Sequence, residues 1–225
     1  MQPIVILGAG GNSRGVIDAI DAINSLDPAR PRYRVEGILD DVAENLGRVV
    51  LGCKVIGRIE EAPKLKGCRF VNGISSVASF RLIPEVIRRT GAAPDAFETI
   101  VHPRATLAAS ARIGRGSVVL AGGVLGPEAD VGDHVIILQN TSLNHNVRVG
   151  DFTTLSAGAT LLGYAEIGRN AFVGAAASIA PRVRVGDSAL VGMGSVVIAD
   201  VAAGKVVAGN PAREIAGSRY GLEKA

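Results

Sequence analysis

The sequence predicts a chain in two parts, a small α/β unit with a βαβ motif followed by a parallel β-helix of hexapeptide repeats. Two periodicities and one glycine turn carry that prediction. Every sixth residue from Leu107 to Val197 is Leu, Ile or Val, sixteen positions with no register break, beginning Leu107, Ile113, Val119, Leu125 and Val131. Four residues after each comes Ala, Gly, Ser, Thr or Val, as at Ala111, Ser117, Gly123 and Ala129. A period of eighteen overlays the first, in Ile113-Gly114, Val131-Gly132, Val149-Gly150, Ile167-Gly168 and Val185-Gly186. Three hexads therefore make one coil, with a glycine at the same corner of each turn. Upstream, the apolar run PIVIL (3–7) leads into Gly8-Ala9-Gly10-Gly11, as a buried strand leads into a tight turn.

Taken in order, the strand and turn are followed by a helix over about Ser13–Ile23, with Val16, Ile17, Ile20 and Ile23 on one face. YRVEGILDD (33–41) reads as a second strand, Ile59–Leu65 as a short helix, CRFVNGI (68–74) as a third strand and Phe80–Arg89 as another helix. Strand, glycine turn, helix and strand make a βαβ unit and a small parallel sheet. Most of 90–106 shows neither period, which puts a boundary near 95–100. The expected organisation is an N-terminal domain over 1–98, the β-helix over 99–202 and a cap over 203–225 that holds the loop AGKVVAGNPAREI. Each stacked repeat side chain contributes about 1.5–3 kcal/mol, largely offset by backbone ordering. Five coils at about 4.8 Å per step form a prism roughly 25 Å long. Small outward residues, as in GAAAS (174–178), predict that a flat face packs on a partner, so an oligomer is expected.

Composition narrows the function. A net charge of +3 spread over 225 residues is too small and scattered for nucleic acid, although a mildly basic surface suits phosphorylated small ligands. Cys53 and Cys68 lie outside the repeat without a partner at metal-ligand spacing and read as free thiols in a reducing cytosol. The start MQPIVILGAGG lacks the basic region of a signal peptide, and no apolar stretch is long enough to span a membrane. A cytoplasmic location is expected.

The chain has three histidines. His145 holds the third, outward-facing position of the hexad LNHNVR, between Asn144 and Asn146 and shortly before the corner at Gly150. A lone histidine is most often a solvated surface residue. Here the period of eighteen places Gly163 one coil along and Pro127 one coil back. A missing side chain beside an imidazole leaves room for a ligand and a free backbone amide. Histidine is suited to act as a base near neutrality, and a backbone N–H to hold an oxyanion. His134 follows the Gly132-Asp133 corner and reads as a surface residue. The turn GAGGNS (8–13) has two glycines of a dinucleotide fingerprint but Ser13 in the third place, a weak signal for NAD. Backbone amides at a helix start hold a diphosphate sugar equally well. A glycine turn that only packs the helix, and a non-catalytic scaffold that would leave the clustered polar residues without a purpose, are the competing readings.

Six stretches, VILGAGGNSRG (5–15), GILDD (37–41), IVHPRATL (100–107), NHNVRVGDF (144–152), LSAGATLLG (155–163) and VVAGNPARE (206–214), carry a resemblance over nearly the whole chain. The chain resembles the hexapeptide acyltransferases with a left-handed β-helix. Within them it is similar to the bacterial sugar O- and N-acetyltransferases, including sialic acid O-acetyltransferases and enzymes acting on nucleotide-linked 4-amino sugars. The resemblance implies left-handed winding, an exception to the usual crossover rule. It further implies a Rossmann-like N-terminal domain that holds a nucleotide sugar, acetyl-CoA as co-substrate without a metal, and a homotrimer with sites between subunits. His145 takes the place of the general base. The family usually has an acid next; this chain has Asn146, and Glu128, one coil back, could supply the carboxylate, although an exposed corner glutamate is an equal reading. Thr154 falls where some members have a histidine associated with the cofactor. Ser156 and Gly163 match positions on the acetyl-CoA arm, and Gly209, Asn210, Pro211 and Ala212 match the loop lining the pantetheine, with Lys205 or Arg213 for the phosphates. Gly10, Gly11, Asn12, Asp40 and Asp41 are the implied nucleotide-sugar contacts, Asn12 replacing a histidine of some members. His102, in a similar His-Pro, is structural or near the acceptor. The implied reaction is N-acetylation of a nucleotide-linked amino sugar, with O-acetylation of a sugar hydroxyl as its rival. Zinc hydration of the γ-carbonic-anhydrase type would need three ligating histidines with a close pair. His134 and His145 are eleven apart, and His102 precedes the repeat.

Overall fold

The computed structural model describes residues 1–215; the predicted end of the cap, 216–225, lies outside the described residues. Strand β1 (Gln2–Leu7) ends at Gly8, whose φ of +90° and close approach to Ile74 admit no side chain: an added Cβ would stand 2.3 Å from Ile74 Cγ1. The chain turns into helix α1 (Gly11–Asn24), which buries Val16, Ile17, Ala19 and Ile20, and continues to β2 (Tyr33–Leu39). Strands β3 (Val49–Val50), β4 (Cys53–Gly57) and β5 (Arg69–Asn72) complete a sheet of order β3-β4-β2-β1-β5. All pairings are parallel except β3 with β4. Ile4 to Leu7 are fully buried, as expected of a central parallel strand covered on both faces.

The sequence reading contains neither β3 nor β4. They form a hairpin too short to show a period, turned by Leu51 (φ 45°) and Gly52 (φ 81°), which both take the left-handed backbone of a tight two-residue turn. The helix expected at Ile59–Leu65 is a 3-10 helix over Ile59–Lys64 with Pro63 inside it. The one expected at Phe80–Arg89 divides into a 3-10 turn, Phe80–Leu82, and helix α2, Ile83–Arg89. Pro84 sits in the first turn of α2, where its missing N–H costs nothing.

From Ile100 onward the chain winds as a parallel β-helix of two-residue strands on three faces. The first face runs through Ile100–Val101, Val118–Val119, Ile136–Ile137, Thr154–Leu155, Phe172–Val173 and Leu190–Val191. The second runs from Thr106–Leu107 to Val196–Val197 and the third from Arg112–Ile113 to Arg184–Val185. Pairs such as Leu125 with Leu143 and Val131 with Val149 put the ladder in register at eighteen residues. The hexad residues fill the axis: Leu125, Val131, Ile137, Leu143, Val149 and Leu155 belong to one buried cluster. The glycines after the third face are required because the coils nearly touch there; a Cβ on Gly150 would stand 2.7 Å from Arg169 N.

The N-terminal domain covers the first face. Outward-pointing Val118, Ile136, Phe172 and Leu190 are all buried. Val118, Ile100 and Leu120 join a core with α1, while Phe172, Leu190 and Val206 join Phe80 and Ile83. Beyond this face the strands Val206–Gly209 and Ala212–Glu214 cap the stack as an antiparallel pair. The second face presents small neutral side chains, including Ser142, Thr160 and Ser178. The third presents charges that alternate coil by coil, Arg112, Asp130, Arg148, Glu166 and Arg184. In GAAAS, Ala175 and Ala176 are exposed, whereas Ala177 enters the core. Among the described residues no helix is long and apolar enough to cross a membrane.

Candidate active site

His145 stands on the edge between the second and third faces, in the corner that joins Ser142–Leu143 to Arg148–Val149. Corners of this kind need one residue with a left-handed backbone. The period stacks those residues in a column of Glu128, Asn146, Tyr164 and Arg182, with φ between 58° and 63°. Pro127, His145, Gly163 and Pro181 form the neighbouring column. The His145 ring lies over Gly163: a Cβ there would be 2.5 Å from Cε1 and 2.6 Å from Nε2. The space that the sequence reading left for a ligand is occupied in part by the imidazole itself. The Gly163 carbonyl accepts from Arg182 N at 3.1 Å, while its N–H has no acceptor among the described residues.

His145 Nδ1 lies 3.1 Å from Asn146 Oδ1, and Asn146 Nδ2 donates to Glu128 Oε2. Tyr164 meets the imidazole edge to face at 5.2 Å and carries the Arg182 guanidinium over its own ring at 5.1 Å. Tyr164 was not singled out from the sequence, although the period of eighteen places it in the Asn146 column. Beside this edge a groove of about 700 Å³ runs along the third face, lined by Ser110, Arg112, Glu128, Asn146, Arg148 and Tyr164 among others. Its lining mixes both charges and is predominantly polar.

The remaining expected residues gather elsewhere. Ser156 lies at the edge between the first and second faces, and the turn Gly209–Ala212 ends on the same edge, with Gly209 N donating to Ser195 Oγ at 3.2 Å. Thr154 is buried under the N-terminal domain, and its hydroxyl is bonded to Ser75 at 2.6 Å. That position is closed to a cofactor within this chain, because Thr154 points outward from the face that the domain covers. Ser75 also accepts from Asn12 Nδ2 through its carbonyl, at 2.6 Å, which ties the glycine turn to the same edge. Lys205 is paired with Glu214 at 2.6 Å.

At the glycine turn, Gly10 and Gly11 open onto free space, and α1 begins without a side-chain cap or an acidic residue in its first turn. Ser13, in the third fingerprint place, is buried and donates to the Gly10 carbonyl at 2.6 Å. The two aspartates are engaged by their own chain. Asp40 accepts from Ala9 N at 2.6 Å and from Val42 N and Asn45 Nδ2, each at 2.9 Å. Asp41 accepts from Ile59 N at 3.1 Å and pairs with Arg89 at 2.8 Å. His102 is buried and accepts from Arg104 N at 3.0 Å, which gives it a structural place. His134, read as a surface residue, is buried between Phe97 and Phe152, since residues 97 and 152 close over its corner. Among the described residues no group of three or more His, Cys, Asp or Glu is arranged to hold a metal ion.

No protein-family model matches the chain, and no curated protein sequence does. Solved structures do. The acetyltransferase domain of PglB from Neisseria gonorrhoeae, in complex with acetyl coenzyme A, matches with a TM-score of 0.81 at 26% identity, over 95% of this chain and 99% of that one. PerB from Caulobacter crescentus, in complex with CoA and GDP-perosamine, matches with a TM-score of 0.82 at 29% identity, over 95% and 97%. The chain is similar to these acetyltransferases over nearly its whole length and shares their fold. WeeI from Acinetobacter baumannii shares the fold at 21% identity, over 96% of this chain and all of that one, with a TM-score of 0.61. An acyltransferase needs what the edge at His145 offers, an exposed imidazole beside a backbone N–H that has no acceptor among the described residues.

Proposed function

We propose that this acyltransferase moves the acetyl group of acetyl-CoA to the amino group of a sugar linked to a nucleoside diphosphate. The observation that carries the reading is the His145 ring held over Gly163 at an open edge, in a chain similar over nearly its whole length to a protein solved with CoA and GDP-perosamine. The co-substrate supplies the thioester. His145 Nε2 accepts the proton as the amine nitrogen attacks the thioester carbonyl, and the Gly163 N–H holds the carbonyl oxygen as charge develops on it. The C–S bond then breaks and the proton passes from His145 to the leaving thiolate. An amine acceptor is favoured over a hydroxyl because a structural neighbour at 27% identity, a variant of PerB with one histidine replaced by alanine, is a GDP-perosamine N-acetyltransferase.

Within this reading the coil is left-handed and the N-terminal domain Rossmann-like. The parallel order β4-β2-β1-β5 and the glycine turn before α1 support the second point. The diphosphate lies on the backbone N–H groups at Gly10 and Gly11, where the helix dipole favours negative charge. Because Asp40 and Asp41 are bonded internally, that backbone, with Asn12 nearby, carries the binding.

A homotrimer is part of this reading, and the layout of the triangular coil supports it. The face opposite the His145 edge is the first face, which the chain's own N-terminal domain covers. The glycine turn, Ser156 and Gly209–Ala212 therefore lie across the prism from the imidazole. A second copy that brings its His145 edge against this edge completes the site, and three such head-to-tail contacts close a ring.

The test is release of free CoA thiol from acetyl-CoA with UDP-, dTDP- and GDP-linked amino sugars, alongside the corresponding hydroxyl sugars, with the product identified by mass spectrometry. Turnover with an amino sugar, reduced about 10²–10⁴-fold in His145→Ala while acetyl-CoA still binds, is expected. Turnover with hydroxyl acceptors alone, or full activity in the variant, would overturn the reading.

A further inference from the structure

Where a general-base histidine needs its tautomer set, a carboxylate on Nδ1 is the common device. In this chain the residue in contact with Nδ1 is an amide, Asn146, at 3.1 Å. An amide carries a donor and an acceptor side by side and can present either to the ring. Presented with its Nδ2, it would bond an unprotonated Nδ1 and leave the hydrogen on Nε2, the wrong tautomer for a base at that atom.

We infer that Glu128 is a positioning residue for His145 and acts through Asn146. The inference rests on His145 being the base proposed above. Glu128 occupies the Asn146 position one coil earlier, with the same left-handed backbone (φ 59° against 58°). Its own N–H is anchored on Ser110 Oγ at 3.0 Å, so the corner holds the carboxylate in place. An ionised carboxylate only accepts, so it takes the Asn146 Nδ2 hydrogen and fixes the flip of the amide. Oδ1 must then face the imidazole and can only accept. The hydrogen of His145 is thereby placed on Nδ1, and the lone pair on Nε2, the atom beside Gly163. The carboxylate acts through hydrogen-bond direction rather than charge. Glu128 is exposed, where a Coulomb attraction is largely screened.

This chain of three groups can be reversed. Glu128→Gln removes the obligate acceptor, frees the amide of Asn146 to flip, and is expected to lower kcat by about 10–100-fold, the usual effect of losing a group that orients a functional histidine. The KM for acetyl-CoA should not change. The double variant Glu128→Gln with Asn146→Asp exchanges amide and carboxylate: the introduced amide donates to the introduced carboxylate, which accepts from Nδ1. It should recover most of the lost kcat. Nitrogen NMR of the imidazole should show the Nδ1–H tautomer in the wild type and the double variant, and a mixture in Glu128→Gln. Wild-type kcat and an unchanged tautomer in Glu128→Gln would overturn the inference, as would a loss that the exchange does not rescue. His145→Ala, assayed in parallel, separates the two levels. Retained turnover there would remove the histidine itself from the mechanism, whereas an inactive His145→Ala beside a fully active Glu128→Gln would remove Glu128 alone.

Discussion

The His145 imidazole rests against the Cα of Gly163, one coil away, so closely that a methyl group on that carbon would stand 2.6 Å from Nε2. The backbone at Gly163 is outside the left-handed region, so alanine there strains no dihedral angle. Gly163→Ala is therefore a small change aimed at one contact. It is expected to push the ring from its seat beside Gly163 and to lower kcat by about 10²–10⁴-fold, the contribution of a positioned base. Steady-state kinetics with a thermal melt would check this. A variant as active as the wild type would show that the ring's seat is not needed for catalysis.

Asp40 binds three donors of its own domain and closes the loop after β2 onto the glycine turn. Asp40→Ala leaves the Ala9 N–H without its carboxylate and should cost about 1–3 kcal/mol of stability. The loss should appear in denaturant unfolding of the whole chain. An unaltered unfolding midpoint with a raised acceptor KM would instead make Asp40 a direct ligand of the nucleotide sugar, the role the resemblance implied.

Gly15 lets α1 lie on the β-helix: a Cβ there would be 2.7 Å from Leu120 Cδ1, which is buried in the junction. Replacing a mid-helix glycine ordinarily stabilises a helix by about 0.5–1 kcal/mol. Gly15→Leu should do the reverse, with an overpacking cost of about 1–3 kcal/mol, and should speed proteolysis near residues 90–99. Slower cleavage or a higher melting temperature would show that the junction yields easily.

His134 is buried between Phe97 at 4.6 Å and Phe152 at 5.2 Å, and its Nδ1 has no partner among the described residues. Burial pulls its pKa below the usual histidine value, with Asp133 and Asp151 opposing the shift. A histidine whose folded pKa lies below its unfolded one is neutral in both states at higher pH and contributes no slope there. As pH falls through about 6.5, the unfolded chain takes up a proton that the folded chain refuses, and stability declines until the folded pKa is reached. His134→Phe should flatten this part of the profile, read as the urea midpoint at several pH values. An equal decline in both proteins would place the acid sensitivity elsewhere.

The sequence by itself determined every relationship that repeats with the coil. Hexad residues such as Leu125 and Leu143 stack because a regular winding brings residues eighteen apart into contact, and the same arithmetic puts Gly163 above His145. The strand, glycine turn and helix at the start were legible for a similar reason, since each is a local pattern. Only the tertiary structure decided which face the N-terminal domain covers, and with it the burial of Thr154 against Ser75. It also decided that Asp40 and Asp41 bind their own chain, that His134 is enclosed, and that Glu128 reaches the imidazole through an amide. These depend on side-chain direction and on contacts between segments far apart in the chain, which no period encodes. A repeat specifies its neighbours by translation, whereas docking one domain on another is settled by the shape and chemistry of two surfaces that meet only after each has formed.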